Sequence, residues 1–370
     1  MRVERIDSAD FADLADCWNC LTRGVPFRSW TWADAWWRHF RQGRELYLLT
    51  VRDDHGQLVG AAPWFLEETR TRGRVLRFLG SGEAGSDYLS LLATAEHEDA
   101  VTKAIAQWLI TANERKHDRW DLLELGGVSE ADRTVGKLVA ALHAEGYLAY
   151  QSPLAECWRI ELPGDWEEYL ATMSKSHRKQ VRRIESRLLH TGRATLHTLQ
   201  HHQDISHGLR ILSELHERRA ASLHDRGSFA SPQFAAFYRE VMPRLWAEQR
   251  LQLHWVEIEE LPVAAELHLL GSAVSYSYLA GIDPDYLDDE PGRLLHIATL
   301  KQAIAEGQYS LDFLHGDQPF KAHWRAQSRR VSSIRIVPPR TGSQVRHSAW
   351  RMGETMRSWL KAGFAMKGLK

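Results

Sequence analysis

Apolar residues recur along this chain in two rhythms, and the rhythms follow the same order in its two halves. Helical spacing covers about 8–22 and about 30–41, and in the second stretch Trp32, Trp36 and Phe40 share one face. Strand-like runs follow at Glu45–Val51 and Leu58–Glu68, separated by the polar turn RDDHGQ, which predicts a hairpin. Arg74–Gly80 reads as a further strand and Ser86–Leu92 as a short one. Helical spacing returns over about 97–114 through Val101, Ile105, Trp108 and Leu109. Trp120–Gly127 then reads as a buried strand ended by glycines, and about 130–145 as a helix.

The second half repeats that order. LQLHWVEIEELPVAAELHLLGSAVSYSYLAGI predicts three strands with tight turns at Glu259–Pro262 and Gly271–Ser272. A helix follows, with Leu294, Leu295, Ala298 and Ile304 as its apolar face. Tyr309–Leu314 and Val331–Val337 are the next strands. Meander, helix, strand, written twice, is an internal structural repeat without sequence repetition. It predicts a layered α/β (α+β) chain. The lobes are 1–150 and 151–340, joined through the proline-bearing stretch Gln151–Leu170, and a basic tail at 341–370 has helical spacing over about 343–362.

Composition narrows the function. The 370 residues suffice for two cores, and 44% apolar with 26% charged residues is ordinary for a globular protein. A net charge of −1 argues against DNA as a partner, so any anion site is local. The N-terminus has no leader-like apolar run and no stretch is long enough to cross a membrane, so a cytoplasmic location is expected. Three cysteines give no disulfide framework; Cys17 and Cys20 form a C-x-x-C without a second pair, and no metal is expected.

The chemistry concentrates at YLDDEPGRLLHIATLKQAIAEG, Tyr286–Gly307. A helix start exposes unpaired N–H groups and the positive end of the helix dipole. Proline there costs no hydrogen bond, glycine allows close approach, and Arg293 adds a cation. Pro291, Gly292, Arg293 and Leu294 therefore form either a phosphate seat or a plain cap. In the phosphate reading, Asp288, Asp289 and Glu290 point into solvent. A splayed strand beforehand offers its edge to an extended ligand, and its main chain near Leu279–Gly281 can hold an oxyanion.

Four stretches carry a resemblance: PFRSWTWADAWW (26–37), GSDYLSLL (85–92), MSKSHRKQVRRIESRLLHTG (173–192) and PGRLLHIATLKQAIAEGQYSLDFLHGDQPFKAHW (291–324). Together they resemble the CelD/BcsL-type acetyltransferases, relatives of the GNAT superfamily and of FemAB-type transferases. The resemblance spans roughly 25–338. It implies two tandem GNAT-like lobes, each a mixed, mostly antiparallel sheet flanked by helices, and acetyl-CoA or another acyl-CoA as co-substrate. DDEPGR stands where ordinary GNAT enzymes carry Q/R-x-x-G-x-G/A. By family association the acceptor is a sugar, a polysaccharide precursor or another small molecule.

Acyl transfer needs a proton acceptor, oxyanion stabilisation and a leaving thiolate. Glu266 and His268 alternate to one face of the middle strand, Tyr276 and Tyr278 to one face of the next. If Glu266 lies across from Tyr278 all four share a face; a two-residue loop at Gly271–Ser272 puts the tyrosines opposite. Glu266, Tyr278 and Asp312 are the catalytic candidates, against a half-exposed polar sheet face. Asp312 lies in an apolar strand and requires a partner, for which Lys321 is nearest in sequence. Lys321 and Trp324 are candidate acceptor contacts, Trp324 as a wall. Between Ser174 and Arg193 stand seven Lys/Arg and one Glu, so Arg178 and Arg182 either contact a ligand anion or face solvent. Two other readings are an aminoacyl transferase using charged tRNA, bound through Lys175–Arg187, and a non-catalytic subunit of polysaccharide assembly. The tail, with Arg346, Trp350, Arg351, Arg357, Trp359 and Lys361, either docks on the protein or touches a membrane surface.

Overall fold

Two sheets organise the chain, and each is completed by residues remote in sequence. The computed structural model describes residues 1–367, with side chains to Glu354. One unit comprises Met1–Thr22, Arg41–Leu154 and the chain from Val331 onward; the other comprises Arg23–Phe40 and Ala155–Arg330.

The first unit contains β1 (Arg2–Ile6), α1 (Ala15–Trp18), β2 (Arg44–Arg52), β3 (Leu58–Thr69), β4 (Gly73–Phe78), β5 (Leu92–Ala93), α3 (Glu98–Ala112), β6 (Leu122–Ser129), α4 (Arg133–Ala144), β7 (Leu148–Pro153), β15 (Val331–Val337) and α11 (Thr341–Lys367). Its sheet runs β1-β2-β3-β4-β6-β15-β7, with β5 paired to β3. The β4–β6 joint is parallel. Strand 331–337, assigned by chain order to the second lobe, is inserted here between β6 and β7. Helical spacing over 8–22 resolves into α1 and short 3₁₀ turns. Residues 86–91 form a loop, broken by the left-handed φ of Tyr88, and only Leu92 joins a strand, β5.

The tail packs on this unit as far as its side chains are described. Arg346 pairs with Asp121 at 2.8 Å, and Arg335 lies 4.5 Å from the Trp350 ring. Arg357, Trp359 and Lys361 lie outside the residues with described side chains.

The second unit contains α2 (Trp30–Phe40), β8 (Cys157–Glu161), α5 (Trp166–Ala171), α6 (Lys175–Glu185), β9 (Ala194–Thr198), α7 (Ile205–Ser222), α8 (Pro232–Ala247), β10 (Leu251–Ile258), β11 (Leu261–Leu270), β12 (Val274–Ile282), α9 (Pro291–Ala305), β13 (Ser310–His315), α10 (Pro319–His323) and β14 (Gln327–Arg329). Its sheet runs β14-β8-β13-β12-β11-β10-β9. Only β12–β13 is parallel among its joints. Both units thus have a meander, then a helix, then a strand parallel to the last meander strand: two tandem GNAT-like lobes. Leu294, Leu295, Leu300, Leu311 and Phe313 build the core on one face, with Val181 and Ile184 of α6. On the other face Phe27, Trp32 and Phe237 pack with Tyr276 and Tyr278. The aromatic stripe read on α2 is buried as expected, but in this second unit.

Gly281 is required by close approach. A Cβ there would lie 2.4 Å from the backbone N of His216 on α7. Helix backbone cannot yield as a side chain end can, so Gly281→Ala is expected to cost roughly 2–3 kcal/mol of stability in a chemical-denaturation titration. An unchanged midpoint would contradict the close packing of α7 on β12.

Candidate active site

β12 and β13 start as neighbours and then part. Val274, Ser275 and Tyr276 pair with Ser310, Leu311 and Asp312, and no ladder contact beyond these joins the strands among the described residues. β12 nevertheless continues to Ile282 and β13 to His315. The margin of β12 from Ser277 onward is therefore not paired to β13, as the splayed-strand reading requires. One of its carbonyls has another partner: His216 Nδ1 lies 2.9 Å from Ala280 O.

α9 begins just beyond this margin. Pro291 is buried and has no N–H; Arg293 N and Leu294 N donate to Glu290 O at 3.0 and 3.3 Å. The Gly292 N–H has no acceptor among the described residues. A Cβ at Gly292 would stand 2.6 Å from Ile282 Cδ1, so the helix start lies directly on the end of β12.

Of the three acids before α9, Asp288 is exposed as expected, whereas Asp289 and Glu290 turn to the arginines at 183–193. Asp289 is gripped by Arg193 at 2.5 and 3.0 Å, and its carbonyl accepts from Arg187 at 2.7 Å. Glu290, left-handed at φ 58°, places its carboxylate 2.5 Å from Arg293, 3.5 Å from Arg187 and 4.0 Å from Arg183. Opposite charge outweighs the solvation these acids would gain by pointing outward. Three guanidinium groups around one carboxylate also mark a place where an anion is held. The two arginines named from sequence are elsewhere: Arg182 pairs with Glu167 at 3.0 Å, and Arg178 donates to Met173 O at 2.8 Å.

Register separates the catalytic candidates. A bulge between Leu267 and His268 pairs Leu267 with Leu279 and His268 with Ser277, so Tyr278 is the extra residue. Glu266 consequently meets Ser277, whose hydroxyl donates to it at 2.6 Å. Tyr276 and Tyr278 point to the Phe27 face, so Tyr278 does not join Glu266. Neither register left open by the sequence is observed, since Glu266 pairs with Ala280, but the tyrosines do face away from Glu266.

Glu266 lies in a buried polar cluster, itself 1% exposed. His268 Nε2 stands 3.0 Å and His296 Nε2 3.8 Å from its carboxylate, while His268 Nδ1 meets Ser275 Oγ at 2.8 Å. Burial alone would raise its pKa, but His296, His268 and the Ser277 hydroxyl together bring it to about 2. A carboxylate so strongly held in its ionised form is a poor proton acceptor at neutral pH.

His254, 1% exposed and 3.0 Å from Thr198 Oγ1, is pushed by burial from 6.5 down to about 4. The unfolded chain binds this proton first, so stability is present above pH 6.5 and is lost as pH falls towards 4. The expected loss is roughly 3 kcal/mol over that window. Denaturant melts from pH 7 to pH 4 check it: His254→Gln should flatten the slope relative to wild type.

Asp312 is fully buried on the other face, at the last paired position before the strands part. Its Oδ2 accepts from Arg159 Nε at 2.8 Å and its Oδ1 from Leu314 N at 2.8 Å. Tyr276, its neighbour across the parallel joint, has its phenol pushed up to about 12, chiefly by burial. Lys321 is 3% exposed, with Nζ donating to the carbonyls of Leu314, His315 and Gly316 at 3.0, 2.8 and 3.0 Å. It ties the loop to β13, and these three bonds use all of its N–H donors. Trp324, 2% exposed, is a packing wall against His177 and His296. Arg159, His216, His254 and His296 escaped the sequence reading; only the i+2 spacing of Glu266 and His268 hinted at the cluster.

Residues 175–322 match the family model described as an acetyltransferase (GNAT) domain. The matched stretch lies within the second unit. No curated protein matches the chain. Among solved structures, FemX is similar with a TM-score of 0.61 at 12% identity, covering 90% of this chain and 97% of that one. A conserved protein of unknown function from Bacteroides thetaiotaomicron VPI-5482 gives 0.58 at 11%, covering 91% and 99%. The C-terminal domain (DUF2156) of a putative lysylphosphatidylglycerol synthetase from Agrobacterium fabrum gives 0.53 at 11%, covering 92% and 95%. At these identities the likeness establishes the fold alone. No helix among the described residues is long and apolar enough to cross a membrane, and no group of three or more His, Cys, Asp or Glu among them is arranged to hold a metal.

Proposed function

We propose that the second unit transfers an acyl group, acetyl in the simplest case, from acyl-CoA to an amine or hydroxyl of a sugar, a polysaccharide precursor or another small acceptor in the cytoplasm. The parting of β12 and β13 beside the start of α9 carries this reading. It supplies an open strand margin for the amides of an extended donor, and a nearby cluster of Arg183, Arg187 and Arg293 for its phosphates. Glu290 already occupies that cluster as an anion, so the residues present fit a phosphate once the carboxylate is displaced.

Asp312 accepts the acceptor's proton as the new C–N or C–O bond forms. Main-chain amides near Leu279–Gly281 hold the oxyanion, and the C–S bond then breaks. Tyr276, paired with Asp312 across the parallel joint, returns a proton to the thiolate and regains one from Asp312. Glu266 holds the cluster on the opposite face in a fixed charge state. The resemblance to CelD/BcsL-type enzymes favours the glycan acceptor. Titration calorimetry with acetyl-CoA and desulfo-CoA tests the donor, and thiol release with amino-sugar and sugar acceptors tests the transfer. A folded protein that binds neither CoA species would overturn the proposal.

One observation favours a second reading, a FemAB-like aminoacyl transferase fed by charged tRNA: the likeness to FemX spans nearly the whole of both chains. Lys175 and Lys179 on α6 make no ion pair among the described residues and provide a surface for phosphates. Tight tRNA binding with a steep salt dependence, without acyl-CoA binding, would select it.

A further inference from the structure

His216 stands at the unpaired margin of β12, and the acyl-transfer steps make no use of it. Its own backbone on α7 lies so close to the strand that a Cβ at Gly281 would be 2.4 Å from His216 N. From there the imidazole reaches the strand's edge, and Nδ1 stops 2.9 Å from Ala280 O. The direction of that carbonyl follows from the ladder. Asp283 N donates to Val263 O at 2.8 Å, and the partners then run Ala264–Ile282, Ala265–Gly281 and Glu266–Ala280. Hydrogen-bonded and non-hydrogen-bonded pairs alternate between antiparallel strands. Residues 283 and 281 therefore direct their N–H and C=O groups at β11, and residues 282 and 280 direct theirs away from it. Away from β11 is the margin that β13 leaves unpaired, and Ala280 is exposed there. An extended ligand adding to this margin needs the Ala280 carbonyl as acceptor for an amide N–H. The imidazole already fills that place.

The partners of the ring fix its form. A carbonyl only accepts, so Nδ1 carries a proton. Nε2 lies 3.5 Å from Ser228 N, whose N–H only donates, so Nε2 offers its lone pair. The ring is thus a neutral bridge from the open strand to the 3₁₀ turn Ser228–Ala230 between α7 and α8. It also stands edge-on to Phe229 of that turn, at 5.6 Å between ring centres.

We propose that His216 is a placeholder for the acyl donor: its Nδ1–H occupies Ala280 O in the empty protein and is displaced when an amide N–H of the pantetheine arm takes that carbonyl. The displaced ring also releases the Ser228 N–H. Binding of the donor is therefore weaker than the bare strand margin allows, and it is coupled to the turn at 228–230. This inference rests on the acyl-transfer reading and goes beyond it, since acyl transfer itself needs no placeholder.

Desulfo-CoA is the probe, titrated by calorimetry into the full chain as wild type, His216→Ala and His216→Asn. Alanine removes the competitor and is expected to tighten binding about three- to tenfold, the net worth of one hydrogen bond. Asparagine keeps an N–H donor at the δ position and is expected to bind within about twofold of wild type, again on the scale of that one bond. In the chain labelled with ¹⁵N-histidine, desulfo-CoA is expected to remove the Nδ1–H signal that is missing from His216→Ala, and to shift the Ser228 amide. Affinity in His216→Ala equal to or weaker than wild type, an asparagine variant as tight as alanine, or an unmoved imidazole signal at saturation would each overturn the placeholder and leave acyl transfer standing. If wild type and His216→Ala both fail to bind, the acyl-transfer reading falls and this inference with it.

Discussion

Gly292→Trp is expected to lower acetyl-CoA affinity at least a hundredfold in calorimetry, with desulfo-CoA losing as much because the thioester plays no part in this contact. Even a Cβ at this position meets Ile282 Cδ1 at 2.6 Å. An indole must therefore push Ile282 off the end of β12 or lie across the start of α9, and either movement spoils the junction of strand margin and helix. Glu290→Gln provides the opposite sign. Its carboxylate lies against Arg293 and within 4.0 Å of Arg183, so it competes with an incoming phosphate. Neutralising it is expected to tighten acyl-CoA binding several-fold, most clearly at low salt where exposed charges are least screened. Wild-type affinity in Gly292→Trp would remove the helix start from the donor site.

Asp312→Asn is expected to reduce turnover by a factor of about 10² to 10⁴, the usual range for a positioned proton acceptor, with acyl-CoA affinity kept. The side chain is fully buried where β12 and β13 separate, held by Arg159 and by the Leu314 amide. Asparagine keeps the shape and the Leu314 contact but neither the charge nor the basicity. Because the charge also answers Arg159, some loss of stability accompanies the change. The two effects separate by measuring kcat per folded molecule at a temperature well below the midpoint. Should kcat per folded molecule match wild type, Asp312 holds the loop together and takes no part in proton transfer.

The local hairpins were legible because each strand alternates and each turn is short: 251–258, 261–270 and 274–282 stand as β10, β11 and β12. What alternation does not encode is an extra residue within a strand. The bulge at Leu267/His268 contains no glycine or proline to announce it, and it moves the partner of Glu266 on to Ala280; the turn register, with Tyr276 opposite Leu269, already turns the tyrosines away from Glu266. Val331–Val337 was readable as a strand to the residue, but its partners, residues 122–129 and 148–153, are some two hundred positions earlier and carry no label in the sequence. The acids at 289–290 and the bases at 183–193 were each visible, and their pairing was not, because it depends on the third dimension. His216 and His296 were overlooked because a lone histidine on a helix has no spacing to mark it.

Interleaved connectivity has a consequence for biosynthesis. The ribosome delivers β6 and β7 long before β15, the strand that must lie between them. Until about residue 337 has emerged, the nascent N-terminal unit presents two unsatisfied strand edges, the kind of surface on which chains stick to one another. A fragment stopped near residue 150 should therefore precipitate, and adding a synthetic Val331–Val337 peptide in trans should return it to solution.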